Sequence, residues 1–179
     1  LSEGLTEETA MMLDELYFSS GFFDRIGVEV VGGQKKVDAL LVFAEEAGKD
    51  IKEAAAVGDS ITDYKMLEEV RKGGGLAIAF NANQYCLPYA SVAVATMDGR
   101  ALIPVIEGFM GGGKEGAVEK VEELENDVRV LKGRFNYLLE MDPRPHYARL
   151  GREKAAIEDV LKVHKEMRMK VRGEAGKLG

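Results

Sequence analysis

The stretch over residues 54–63 constrains the fold more than any other part of the sequence. A short apolar run ends at Gly58 and is followed by two aspartates, Asp59 and Asp63, that lie four positions apart. An apolar run that stops at a glycine turn is typical of a buried strand in a parallel sheet. In such sheets, ligands bind beyond the carboxyl ends of the strands. The sequence therefore predicts an α/β protein with an acidic site at the end of a strand over residues 53–57.

Short apolar runs alternate with amphipathic segments over residues 1–110, which we predict to form the first unit of the chain. Strands that alternate with helices indicate a parallel sheet covered on both faces, that is, a Rossmann-like, three-layer α/β/α arrangement. Apolar residues at helical spacing predict helices over residues 5–18, 35–47, 63–71, 84–89 and 100–108, and apolar runs predict strands over residues 26–31, 53–57, 76–80 and 92–96.

The composition changes after the three glycines at 111–113, which predicts a second unit over residues 111–179. Apolar residues keep a heptad spacing over residues 117–138, the prolines at 143 and 145 break the pattern, and a second apolar stripe follows over residues 150–171. We predict an antiparallel helical hairpin, or coiled-coil appendage. The same seam is also able to join two copies of the chain as a homodimer, and the sequence leaves both interpretations open.

Composition excludes several classes of protein. The formal net charge of -7 argues against a nucleic-acid binder, which needs a basic face. A single cysteine, Cys86, excludes an internal disulfide framework and favours a reducing, cytoplasmic location. No apolar run reaches the roughly 18 residues that a membrane span requires. The first residue is leucine, which fits a chain that belongs to something longer.

The side chains expected around the two aspartates suit phosphate chemistry. Two carboxylates at one strand end create a strongly negative site, which a hard cation such as Mg²⁺ relieves. Lys36 begins the preceding helix, 22 residues before Gly58, and is able to neutralise a phosphate or the carboxylates. Lys35 is the rival for this role. Ser60 and Thr62 are able to hydrogen-bond a phosphate or the waters of a metal, although both also suit a turn.

Together these features resemble the haloacid dehalogenase-like (HAD) superfamily, and its phosphoserine-phosphatase-like members in particular. The resemblance covers roughly residues 30–100 and rests on Lys36, on the aspartates Asp59 and Asp63, and on the apolar strands that follow them. It implies a Mg²⁺-dependent phosphohydrolase that acts on a small phosphomonoester.

The resemblance also implies roles for individual residues. Asp59 would ligate Mg²⁺, and Asp63 would ligate it indirectly or orient Lys36, so that Lys36 and Asp63 are the expected catalytic residues. Lys36, Ser60 and Thr62 would bind the phosphate or the substrate. Thr62 stands where many members of the family have asparagine.

The nucleophile of the family is missing from the sequence. That residue is an aspartate with a second aspartate two positions later, after an apolar run, and no such pair is present. In the family the nucleophile strand pairs with the strand that corresponds to residues 53–57, so this strand should present an unpaired apolar edge. We expect a missing N-terminal segment or another chain to cover that edge, and this chain alone to be inactive.

Two alternatives belong to other functional classes. The segment from Gly58 to Asp63 is also similar to the first block of GDSL-type esterases, with Ser60 as the nucleophile. That chemistry needs a histidine base with an aspartate three positions before it, and neither His146 nor His164 has one. The second alternative is a non-catalytic HAD-like scaffold or subunit that binds a partner through its C-terminal helices.

Overall fold

The computed structural model describes residues 31–127, 135–151 and 154–173, together with Met12, Arg129 and Gly133. The helix predicted over residues 5–18 and the strand predicted over residues 26–31 lie outside the described residues, apart from Met12 and Val31. The described residues form four strands, β1 (Ala55–Gly58), β2 (Leu76–Phe80), β3 (Val92–Ala95) and β4 (His146–Arg149), and five α-helices, α1 (Gln34–Glu46), α2 (Tyr64–Lys72), α3 (Ile103–Asn126), α4 (Asn136–Leu139) and α5 (Lys154–Arg172).

The four strands form one sheet in the order β1-β2-β3-β4. The pairs β1–β2 and β2–β3 are parallel, and β4 pairs with β3 in the antiparallel direction. The predicted α/β fold with a mainly parallel sheet is therefore confirmed. Among the described residues β1 has a neighbour on one side only, and Val57 within it is 40% exposed.

Side chains alternate between the two faces of the sheet, and each face has its own core. One face presents alanines, which let α2 and α5 pack closely through Leu67, Val70 and Val160. The opposite face presents larger residues and is covered by α3. Helix α1 packs beside α2, so that it borders the first face. The small residues are Ala56, Ala77, Ala79, Ala93 and Ala148, and the larger ones are Leu76, Ile78, Val92, Val94 and Tyr147.

The C-terminal part of the chain differs from the predicted helical hairpin. Helices α3 and α5 pack on opposite faces of the sheet, and β4 lies between them in the sequence. The heptad residues of α3 are buried against the sheet because the large side chains of β2 and β3 offer a wider apolar surface than one helix. The residues that were predicted to pack in the hairpin and that pack on the sheet instead are Ala117, Val121 and Leu124 on one face and Val160 on the other.

A break at Gly112 and Gly113 divides α3 into two helical segments that fold back on each other. Gly113 has a φ of 63°, which favours glycine. A Cβ on Gly108 would lie 2.7 Å from the carbonyl oxygen of Gly116, so the two segments touch backbone to backbone. The predicted boundary at 110/111 falls beside this break. Neither α3 nor any other helix within the described ranges is long and apolar enough to cross a membrane.

Candidate functional site

A cavity of about 400 Å³ opens at the carboxyl end of β1. The loop after β1, the start of α1, the end of β2 and the last turns of α5 form its walls. Lys36, Asp59, Ser60, Thr62 and Asp63, the five residues that the sequence singles out, all line this cavity. The other lining residues are Val57, Gly58, Phe80, Asn81, Arg168, Val171 and Arg172.

The carboxylate of Asp63 holds the loop after β1 in place. Its Oδ2 atom accepts hydrogen bonds from the amide nitrogens of Asp59 (3.0 Å) and Ser60 (3.1 Å) and from the Ser60 hydroxyl (3.1 Å). The loop can turn this tightly because residue 58 is glycine: a Cβ on Gly58 would lie 2.5 Å from the Cβ of Asp63. The glycine that precedes the first aspartate is therefore needed to position the second.

Lys36 and Asp63 form an ion pair at the base of the cavity. The Lys36 Nζ donates to Asp63 Oδ1, and also to the Thr62 hydroxyl at 3.4 Å. Backbone contact supports the pair, since the amide of Gly33, just before α1, donates to the carbonyl of Thr62 at 2.9 Å. The Asp63 side chain is 7% exposed and that of Lys36 is 27% exposed.

The surroundings of Asp63 keep its carboxylate ionised. Burial raises the pKa of Asp63, but the Lys36 ammonium and the two backbone amides more than offset this, so the net pKa is lowered. Ser60, which contacts Asp63, and Thr62, which contacts Lys36, also contact each other, since their hydroxyl oxygens lie 3.0 Å apart. Lys36, Asp63, Ser60 and Thr62 thus form one connected polar network.

Asp59 also lines the cavity, and its carboxylate is paired with two arginines of α5. Arg168 Nη1 donates to Asp59 Oδ2 at 2.8 Å, and Arg172 Nη2 donates to the same oxygen. Arg168 also donates to the carbonyl oxygens of Asp59 (3.1 Å) and Asn81 (2.8 Å). The C-terminal helix is therefore joined to the ends of β1 and β2 by charge-assisted hydrogen bonds.

The donor set suits a hard cation only in part. Both oxygens of Asp63 already accept hydrogen bonds, so this carboxylate is placed to act on Lys36 rather than as a direct ligand. Asp59 Oδ1 has no hydrogen-bond partner among the described residues and is a suitable oxygen ligand for Mg²⁺. Within the described ranges no three acidic, histidine or cysteine side chains come together as a metal site. Water and residues beyond those ranges would have to supply the other ligands.

Sequence reasoning missed Arg168 and Arg172. A signal for the first was present, since Arg168 follows His164 by four positions and so lies on the same apolar stripe of α5. A charged residue on a buried stripe indicates a buried polar partner. Arg172 gave no such signal, because it lies near the end of the helix among other charged residues. Asn81 also lines the cavity, and its side chain bridges β2 to β3 through both backbone polar groups of Thr96 at 2.9 Å.

Neither histidine is placed to serve Ser60 as a general base: neither lines the cavity, and His146 lies on β4, at the opposite edge of the described sheet from β1. His164 is fully buried, and its Nδ1 accepts a hydrogen bond from the amide of Ala82 at 2.8 Å. Burial, with smaller effects of His146 and Arg168, lowers the pKa of His164 to about 3. The Ser60 hydroxyl contacts Asp63 and Thr62 instead. The geometry of the described residues therefore offers no support for the esterase alternative.

Comparison with known proteins gives one informative likeness. No protein-family model matches the sequence, and no curated protein matches it. A solved structure, that of gene product AF1437 from Archaeoglobus fulgidus, is similar, with 33% sequence identity and a TM-score of 0.65. The match covers 99% of this chain and 50% of the archaeal one, so the chain spans half the length of that protein. The likeness supports the α/β fold, and the name of the archaeal protein states no activity.

Proposed function

We propose that this chain carries the cation-binding and phosphate-binding part of a HAD-type, Mg²⁺-dependent phosphohydrolase that acts on a small phosphomonoester. One observation carries the proposal: the Lys36–Asp63 ion pair and the Asp59 carboxylate meet in one cavity at the carboxyl end of a parallel strand. Ligands of α/β sheets bind at such strand ends. An ammonium group beside two carboxylates suits a site that takes both a phosphate and a divalent cation.

Each residue has a role that its contacts support. Asp59 would hold Mg²⁺ through Oδ1, and the bound ion would neutralise charge on the phosphoryl oxygens. Asp63 fixes the position of Lys36 and keeps its ammonium group directed into the cavity. Lys36 would bind a phosphoryl oxygen, and the hydroxyls of Ser60 and Thr62 would turn from their contacts within the polar network to donate to the same group. Lys36 is preferred over Lys35 because, of the two lysines, only Lys36 lines the cavity.

The nucleophile would come from outside this sequence. Among the described residues β1 is an edge strand whose Val57 is 40% exposed, which leaves room for a further strand beside it. A nucleophile on the carboxyl end of such a strand would lie at the same edge of the sheet as Asp59. The similar archaeal protein is about twice as long as the part of it that this chain matches, which supports a further segment or chain as its source.

A phosphatase assay tests the proposal. A polypeptide that joins this chain to its natural upstream segment should release inorganic phosphate from a small phosphomonoester in a Mg²⁺-dependent manner. Asp59→Asn should remove the activity. Asp159→Asn, which makes the same change of charge at an exposed position of α5, should keep it. Absence of any Mg²⁺-dependent phosphate release across a broad phosphomonoester panel would contradict the proposal.

One observation favours a second candidate, a non-catalytic HAD-like scaffold. Arg168 and Arg172 already neutralise Asp59, so the carboxylate does not require a cation. In that case the chain would act by binding a partner through its C-terminal helices, either another protein or a second copy as a homodimer. A dimeric mass of the chain in light scattering, together with a longer polypeptide that has no phosphatase activity, would support this candidate over the enzyme.

A further inference from the structure

The two arginines that contact Asp59 differ in how firmly they are held. The Arg168 side chain is 2% exposed, and its Nη1 also donates to two backbone carbonyl oxygens. The Arg172 side chain is 44% exposed, and Asp59 is its hydrogen-bond partner among the described residues. Arg168 is therefore a fixed part of the fold, whereas Arg172 can leave Asp59 without breaking another hydrogen bond within the part of the chain that the structure describes.

The position of Arg172 in the chain also allows it to move. It is the last residue of α5, and Gly173 follows with a φ of 56°. The final turn of a helix has unpaired carbonyl groups and frays more easily than the interior. Arg172 lies at the wall of the cavity, so its guanidinium remains within reach of the cavity after it leaves Asp59.

The charges around the cavity indicate which ligand would displace Arg172 from Asp59. Lys36, Arg168 and Arg172 carry three positive charges against the two negative charges of Asp59 and Asp63. A divalent cation on Asp59 would compete with Arg172 for the same carboxylate, and the two positive groups would repel each other at short distance. The released guanidinium would then need an anion, and its planar set of donors suits a phosphate.

We propose that Arg172 is a phosphate-binding residue of this site, held by Asp59 until a divalent cation takes that carboxylate. The inference rests on the proposed function and adds a residue that the sequence did not indicate. It requires that cation and phosphate bind cooperatively, because the cation frees the arginine that the phosphate uses. By linkage, each ligand must raise the affinity of the site for the other by the same factor.

Isothermal titration of the 179-residue chain with Mg²⁺, with and without inorganic phosphate, tests this scheme. Phosphate should tighten Mg²⁺ binding to the wild-type chain. Arg172→Gln removes the competitor, so Mg²⁺ alone should bind roughly two- to fivefold more tightly, the range expected for a half-exposed ion pair. The same variant should lose most of the effect of phosphate. Lys170→Gln is the matched control, since it removes one charge from the same turn at an exposed position that does not face Asp59.

The outcomes separate this inference from the proposed function. If Asp59→Asn abolishes Mg²⁺ binding while Arg172→Gln leaves both the affinity and the phosphate effect unchanged, Arg172 has no such role and the metal site stands. If Arg172→Gln binds Mg²⁺ more weakly than the wild-type chain, the competition is also refuted. If neither the wild-type chain nor Arg172→Gln binds Mg²⁺, the inference is overturned, whereas the proposed function is decided separately by the phosphatase assay on the longer polypeptide.

Discussion

The Lys36 ammonium donates to the Asp63 carboxylate across 27 positions of sequence, and this ion pair joins the start of α1 to the loop after β1. Asp63 in turn accepts three hydrogen bonds from its own loop, so the position of Lys36 and the shape of the loop depend on each other. Any ligand that enters the cavity meets a lysine whose orientation is set by a buried carboxylate. The pair therefore fixes the shape of the cavity at the carboxyl end of β1.

Lys36→Met should destabilise the protein, because it leaves the nearly buried Asp63 carboxylate without its cation. We expect a loss of about 1–3 kcal/mol in the free energy of unfolding, as for a buried group that loses its partner. Lys35→Met is the matched control: Lys35 is exposed and does not line the cavity, so the change should stay within about 0.5 kcal/mol. Urea unfolding of both variants at neutral pH measures the difference. If both variants lost the same free energy of unfolding, the ion pair with Asp63 would not be what makes Lys36 stabilising.

The same pair makes a prediction about pH. The folded-state pKa of Asp63 is lowered from its ordinary value of 3.8, so its contribution to stability is complete above that pH. The contribution is lost as the pH falls below 3.8 and the carboxylate becomes protonated in the folded state. The difference in stability between wild type and Lys36→Met should therefore be largest near neutral pH and shrink on acidification. A difference that stays constant down to pH 3 would show that Lys36 acts by packing alone.

Gly58→Ala should disturb the loop that carries the site. The added methyl group would lie 2.5 Å from the Asp63 Cβ, which forces the loop or the carboxylate to move. We expect a destabilisation of about 1–3 kcal/mol, typical of overpacking, and weaker Mg²⁺ binding. Gly99→Ala is the control, since a Cβ at Gly99 meets nothing within 4 Å. If Gly58→Ala matched Gly99→Ala in stability and Mg²⁺ affinity, the close approach would have no role in positioning Asp63.

The bounds of strands and helices could be predicted from the sequence where the local pattern of apolar residues agrees with their burial. The strand predicted over residues 76–80 has the same bounds in the structure, and the helix predicted over 35–47 is shifted by one residue at each end. Parallel strands bring their carboxyl ends to one edge of the sheet, so Asp59 and Lys36 line one cavity as the spacing indicated. Their chemical roles stay predictions.

The packing of the C-terminal region could not be predicted from its sequence pattern. An apolar stripe with heptad spacing looks the same whether the helix packs on another helix or on a sheet. Leu124 is buried on one face of the sheet and Val160 on the other, although both fit the predicted hairpin equally well. Strand β4 is only four residues long, and its register is set by β3 rather than by alternation of its own. The contact of Arg172 with Asp59 spans 113 positions and depends on that tertiary arrangement.

His164 should make the protein sensitive to mild acid. Burial lowers its pKa from 6.5 to about 3, so the folded state holds the ring neutral while the unfolded chain takes up a proton near pH 6.5. Stability is then lost progressively as the pH falls from about 6.5 towards 3, at up to about 1.4 kcal/mol for each pH unit. His164→Gln keeps an acceptor for the Ala82 amide and should show a flatter dependence of unfolding free energy between pH 7 and pH 5. Parallel curves for the two proteins would contradict a buried neutral imidazole.

Arg168 and Arg172 contact the same carboxylate oxygen but should differ in their contribution to stability. Arg168→Met removes a buried cation and leaves the carbonyl oxygens of Asp59 and Asn81 without this donor. We expect a loss of about 3 kcal/mol, the size found when one partner of a buried pair is removed. Arg172→Met breaks a half-exposed contact and should cost no more than about 1 kcal/mol. Urea unfolding of both variants gives the comparison, and a larger loss for Arg172→Met would show that Arg172 is a fixed part of the fold rather than a residue free to exchange Asp59 for a ligand.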